Sequence, residues 1–238
     1  MQFWWLFLLF FFPFIGGVIG FNIQSSKTKQ LKLFLAFSGA FLISITVINL
    51  IPEVYERMGH KAGYYILAGF FLQIIADFFS KGVEHGHLHV HDLKKGFPVS
   101  VFVALSLHAV LEGFGLGGDA FSEETRSNLV FAIGLHEIPA AFALAVVLKS
   151  VHTINNRNYF WIALYALMVP IGMIIGSQLV SYSDAFTAVI SIVIGVFLHI
   201  STTILFENNE SHTFSKYKLV AIAIGLTVAL LAVNFHVH

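Results

Sequence analysis

His108 and Glu112 stand four residues apart in the apolar run 107–118, and His136 and Glu137 stand side by side in the next such run, 134–148. A spacing of four is close to one helical turn, so the first imidazole and carboxylate share a face. A carboxylate at mid-bilayer costs about 2.5–3.5 kcal/mol, which several Leu or Phe residues must offset. Two neighbouring apolar segments that both accept this cost point to a polar site between them. Imidazole nitrogen combined with carboxylate oxygen suits zinc and its first-row neighbours. The chain has no cysteine, so thiolate ligands and disulfides are excluded. A single histidine in a membrane helix is often only a hydrogen-bond donor to a neighbour, and a lone glutamate can pair with backbone. Four such groups on consecutive segments form the pattern of a metal site.

The elements that hold these residues must tolerate lipid. The 238 residues are 57% hydrophobic and only 11% charged, with a mean hydropathy of +0.82. A soluble domain of this length cannot hide so much apolar surface. The formal net charge of zero gives no sign of a nucleic-acid partner. Eight apolar segments, 3–21, 33–51, 62–79, 97–117, 129–148, 159–180, 185–206 and 217–235, approach or exceed the length needed to cross a hydrocarbon core of about 30 Å. The strict short alternation of a membrane barrel is missing. The expected fold class is therefore all-α, a polytopic helical bundle of eight transmembrane helices forming one transporter domain over residues 1–238.

Charge order sets the expected orientation. No basic residue precedes the first apolar run, whereas Lys27, Lys29 and Lys32 follow it, which predicts a retained span with its N-terminus outside. That choice places ten Lys and Arg residues in inner loops and leaves only Arg57, Lys61 and Arg126 outside. Both termini are then outside. From the helical rise per residue, Glu112 lies about 8 Å, His108 about 14 Å, and His136 and Glu137 about 10–12 Å below the outer boundary. All four share one layer. Pro139 also frees the carbonyl of Leu135 beside His136.

Other polar positions could mark a route. Asn49 and Glu53 fall near the outer end of the second segment, while Asp77 and His199 fall about 21–23 Å down, near the inner side. Solvation of a helix end or an interhelical hydrogen bond explains each of these four equally well. The loop over about 82–96 carries His85, His87, His89 and His91 at alternate positions. It reads as a solvated connector, with cytoplasmic metal binding as its functional alternative. A short likeness between residues 39–53 and 195–207 hints at related halves.

The motifs HAVLEG (108–113) and HEIPA (136–140) resemble the signature pair of the Zrt/Irt-like (ZIP) metal transporters. The segment FSGAFLISITVINLIPE (37–53), the eight spans and the His-rich loop fit the same family, so the resemblance covers essentially the whole chain. It implies uptake of a divalent cation into the cytoplasm, with zinc foremost and iron, manganese or cadmium as other substrates. It further implies a multi-pass protein of the plasma or inner membrane, a homodimer, no resident cofactor and no enzymatic activity. Spans one, four, five and six would move together against the rest. Three positions depart from the family pattern: Ala109 replaces the usual Asn, Ala140 a His or Glu, and Val169 a Glu found in some members. Those positions help to build a second metal site, so one principal site is expected here, from His108, Glu112 and His136, with Glu137 as neighbour or alternate ligand. Asn49 likewise stands where many members have His. Two rival readings are an intramembrane zinc-dependent hydrolase and a membrane metal sensor. The hydrolase would need the pattern H-E-x-x-H, but residue 140 is alanine. The sensor would need an output domain, which the sequence does not supply.

Overall fold

The computed structural model describes residues 3–22, 28–80, 98–118, 121–151, 156–178, 184–206 and 215–234. The His-rich loop, with His85, His87, His89 and His91, lies outside them. Among the described residues the ordered elements are all helical: α1 (Phe3–Asn22), α2 (Thr28–Ile45), a π-helical turn (Thr46–Leu50), α3 (Ile51–Met58), α4 (Lys61–Ser80), α5 (Val99–Gly117), α6 (Glu123–Val151), α7 (Asn156–Ala166), α8 (Met168–Gln178), α9 (Asp184–Phe206) and α10 (Lys216–Asn234). The chain is thus an all-α, multi-pass membrane protein. Among the described residues, seven helical stretches are long and apolar enough to cross a bilayer, counting α2 through α3 as one and α7 with α8 as another. The remaining long helix, α4, spans twenty residues and carries Lys61, Gln73 and Asp77 along its length.

Over their described residues all eight apolar segments are helical, with two internal irregularities there, both near prolines. In the second, Pro52 has no N–H to offer the carbonyl of Ile48. The chain accommodates one wider turn just before it, where the Ile51 N–H bonds the Thr46 carbonyl. Asn49 sits in that turn. In the sixth, Pro170 leaves the carbonyl of Ala166 without its usual donor. The Leu167 N–H is shared between the Ala163 and Leu164 carbonyls at 3.2 and 3.3 Å, and the span divides there into α7 and α8. Pro139 leaves α6 unbroken.

Lipid offers apolar side chains the same contacts as a neighbouring helix, so membrane helices associate where small residues let backbones meet. This bundle uses glycine for that purpose in four helix pairs. Gly16 and Gly20 of α1 lie on Ile138 and Phe142 of α6. Gly113 and Gly117 of α5 lie on Val169 and Met173 of α8, and Gly172 and Gly176 of α8 lie in turn on Val110 and Phe114 of α5. Gly69 of α4 and Gly195 of α9 lie on each other's helix at Ile192 and Ile66, and Gly225 of α10 rests on Phe37 of α2. Large side chains such as Phe7, Leu67, Ile75 and Phe78 face outward, as lipid contact requires.

Gly59 ends α3 with φ 57° and ψ −144°, a region that residues with a Cβ seldom enter. A Cβ there would meet no atom within 4 Å, so its cost would come from the backbone alone. Gly59→Ala is expected to lower stability by about 1–3 kcal/mol, measured as thermal unfolding in detergent, without changing the helical content.

Candidate metal centre

The turn between α5 and α6 brings the two chemically loaded helices together as antiparallel neighbours. Ser122 caps α6: its Oγ accepts the Thr125 N–H at 3.1 Å, satisfying a donor that the first helical turn leaves open. The guanidinium of Arg126 reaches back, donating from Nη2 to the Gly118 carbonyl at 2.7 Å and from Nη1 to Glu123 at 3.1 Å. The end of α5 is thereby tied to the start of α6.

Below that tie, His108 and Glu112 on α5 meet His136 on α6. One ligand atom from each lies within 4.8 Å of the others. The His108 Nε2 is 3.0 Å from the Glu112 Oε1, and the His136 Nε2 is 3.9 Å from the same oxygen. The two imidazole rings stand nearly perpendicular, with centroids 6.0 Å apart. Glu112 and His136 are fully buried and His108 is 4% exposed. Two nitrogens and a carboxylate oxygen converging in an enclosed space can hold a divalent cation and leave a position for water or a further ligand. Single-turn spacing put two members on one helix, and the antiparallel turn supplied the third.

Glu137 lies outside that trio. Its carboxyl group lies against that of Glu112 and accepts a 2.6 Å hydrogen bond at Oε2 from the hydroxyl of Tyr165 on α7. Both residues are buried. Tyr165 is the site residue that reading the sequence missed, since one tyrosine in an aromatic-rich span gives no signal of its own. Ala109, Ala140 and Val169 are also buried, and none of them offers a side-chain ligand.

The remaining candidate positions are placed elsewhere. Asn49 is half-buried in the π turn, and its Oδ1 accepts no hydrogen bond. Glu53 accepts a 2.7 Å hydrogen bond from the Thr125 hydroxyl, which connects α3 to the start of α6. Asp77 and His199 do come together: Oδ2 is 3.3 Å from Nδ1, Gln73 donates to Oδ1 at 2.8 Å, and the Phe70 ring stands edge-on to the imidazole. With Thr202, Thr203 and Phe206 they line an open recess. A separate apolar cavity of about 730 Å³, walled by α4, α5 and α9, includes Gln73, Ser100 and His108 in its lining.

A helical membrane bundle with nitrogen and oxygen donors buried between two spans defines an integral membrane protein equipped for a divalent cation. The family model described as ZIP zinc transporter matches residues 98–232, more than half of the sequence and all of this site. The chain belongs to that family, whose description is that of transporters rather than enzymes. Among its relatives, protein zntD of Dictyostelium discoideum is 29% identical over 150 residues, covering 56% of this chain. The match takes in only 22% of zntD's own length. An uncharacterized protein of Methanocaldococcus jannaschii is 27% identical over 226 residues, covering 89% of this chain and 90% of its own. Zinc transporter ZIP9 of Micropogonias undulatus is 23% identical over 214 residues, covering 77% of this chain and 67% of its own.

Proposed function

We propose that this protein carries divalent metal ions, zinc foremost, across the membrane into the cytoplasm, with the ion held in transit by His108, Glu112 and His136. The observation that carries this reading is the convergence of their three ligand atoms within 4.8 Å inside a lipid-facing bundle. A buried carboxylate between two imidazoles is costly unless a cation compensates it. Glu137 serves as neighbour or alternate ligand. The printed names of the zinc transporter relatives support zinc as the first metal to test. His and Glu ligands lose protons on binding metal, so loading releases protons into the site or its surroundings.

Asn49 and Glu53 then receive the ion on the outer side, and Asp77 with His199 guides its exit. The loop carrying His85, His87, His89 and His91 is a cytoplasmic receiver for the released ion. Asp77→Ala is expected to reduce zinc uptake by about tenfold while leaving zinc binding at the trio intact. Loss of a supporting metal partner commonly costs 10–100-fold. Parallel measurements of vesicle uptake and equilibrium binding check both halves of the expectation.

The glycine-tight pairs α1–α6 and α5–α8 keep the site helices together, while α4–α9 and α2–α10 form the other close pairs. Motion of the first group against the second would carry the site past a fixed frame. The central test is radiozinc influx into vesicles holding the purified full chain, competed by iron, manganese and cadmium in turn. Saturable influx inhibited by the true substrates supports the proposal, and flux indistinguishable from empty vesicles overturns it.

A further inference from the structure

Tyr165 joins the metal centre through Glu137. Its hydroxyl donates to the Glu137 Oε2 at 2.6 Å across the α6–α7 contact, and its side chain is wholly buried. At 2.6 Å this hydrogen bond is short, and burial shields it from competing water. The other oxygen of Glu137 accepts no hydrogen bond. Tyr165 therefore fixes one oxygen of a carboxylate that adjoins Glu112 but is not among the three converging ligand groups.

We propose that Tyr165 is a specificity-determining residue, which holds Glu137 aside and keeps the centre at three protein ligands of two nitrogens and one oxygen. This inference rests on the metal-transport reading above. Zinc is content with four ligands, including nitrogen donors, and a single water completes this set. Manganese favours six ligands, mostly oxygen. A carboxylate freed from the tyrosine can turn toward the ion and supply one or two more oxygens. The hydroxyl thus disfavours oxygen-seeking ions by restraining a ligand, a selectivity built against the competitor as much as for the substrate. Val169, one turn beyond Tyr165 at the start of α8, cannot make up the missing restraint because it has no polar group.

The test is Tyr165→Phe, Glu137→Ala and the double variant, each in the full chain, with zinc and manganese uptake measured separately in vesicles. Equilibrium binding of each metal alone to the detergent-solubilised protein provides a second readout. Tyr165→Phe is expected to lower the zinc-to-manganese ratio of apparent affinities by about tenfold, the lower end of what loss of a supporting hydrogen bond costs a metal site. In the Glu137→Ala background the same substitution should leave the ratio unchanged, because the restrained group is gone. An unchanged ratio in Tyr165→Phe, an equal loss for both metals, or effects that add in the double variant would each overturn the assignment. Wild-type vesicles that carry neither metal would overturn the transport reading and this inference together.

Discussion

Replacing Glu112 by alanine is expected to lower zinc uptake by at least about a hundredfold while the protein still inserts and packs normally. Supporting partners of a metal site already contribute 10–100-fold, and a direct ligand should contribute no less. Glu112 is the sole carboxylate of the trio, and its Oε1 is the atom that faces both imidazoles, at 3.0 and 3.9 Å. A dication leaving water for a low-dielectric interior needs an anionic partner far more than it needs one more neutral nitrogen. His108→Ala should follow in the same direction, with a smaller loss because one imidazole and the charge remain. Radiozinc influx per inserted molecule is the measurement. Wild-type rates in both variants would remove the trio from the transport route.

The second large effect is on the bundle itself. Gly113→Leu should abolish the folded protein or lower its unfolding midpoint severely. Even the first carbon of a side chain at 113 would overlap the backbone of Val169, and Gly172 presents the same constraint from α8 against Val110. Overpacking an ordinary core costs about 1–3 kcal/mol. Here the obstacle is main chain, which cannot rotate away, and whole domains are stable by only about 5–15 kcal/mol. Gly115 on the same helix is the internal control. A Cβ there would meet a valine methyl of Val193 at 3.3 Å, a contact that a small side-chain shift can relieve. Gly115→Ala should therefore be mild where Gly113→Leu is not. Equal unfolding midpoints for the two variants in detergent would mean that close approach of α5 and α8 does not hold the site helices together.

Much of this was legible in the chain. Apolar runs marked every long helix, because lipid demands that a spanning segment be apolar and satisfy its own backbone hydrogen bonds. Helical spacing placed His108 and Glu112 on one face, and rise per residue put His136 at their level. Equal depth put Asp77 and His199 near the inner side as positions that could guide exit, but depth alone did not show that they meet, at 3.3 Å. The breaks near Pro52 and Pro170 were weakly signalled, since Pro139 carries the same local cost yet leaves its helix unbroken.

The sequence by itself determined the solvent, the helices and which ionisable groups lie at common depth, because these depend on composition and on the helical repeat. Only the tertiary structure decided which side chain meets which across helices. Tyr165 and Glu137 are 28 residues apart, and no periodicity links them. Their hydrogen bond exists because the chain turns back through α7 in a particular rotation, set by where glycines allow backbones to touch. Helix crossing and rotation are collective results of packing, so the partner of a buried carboxylate follows from the whole bundle and not from its own segment.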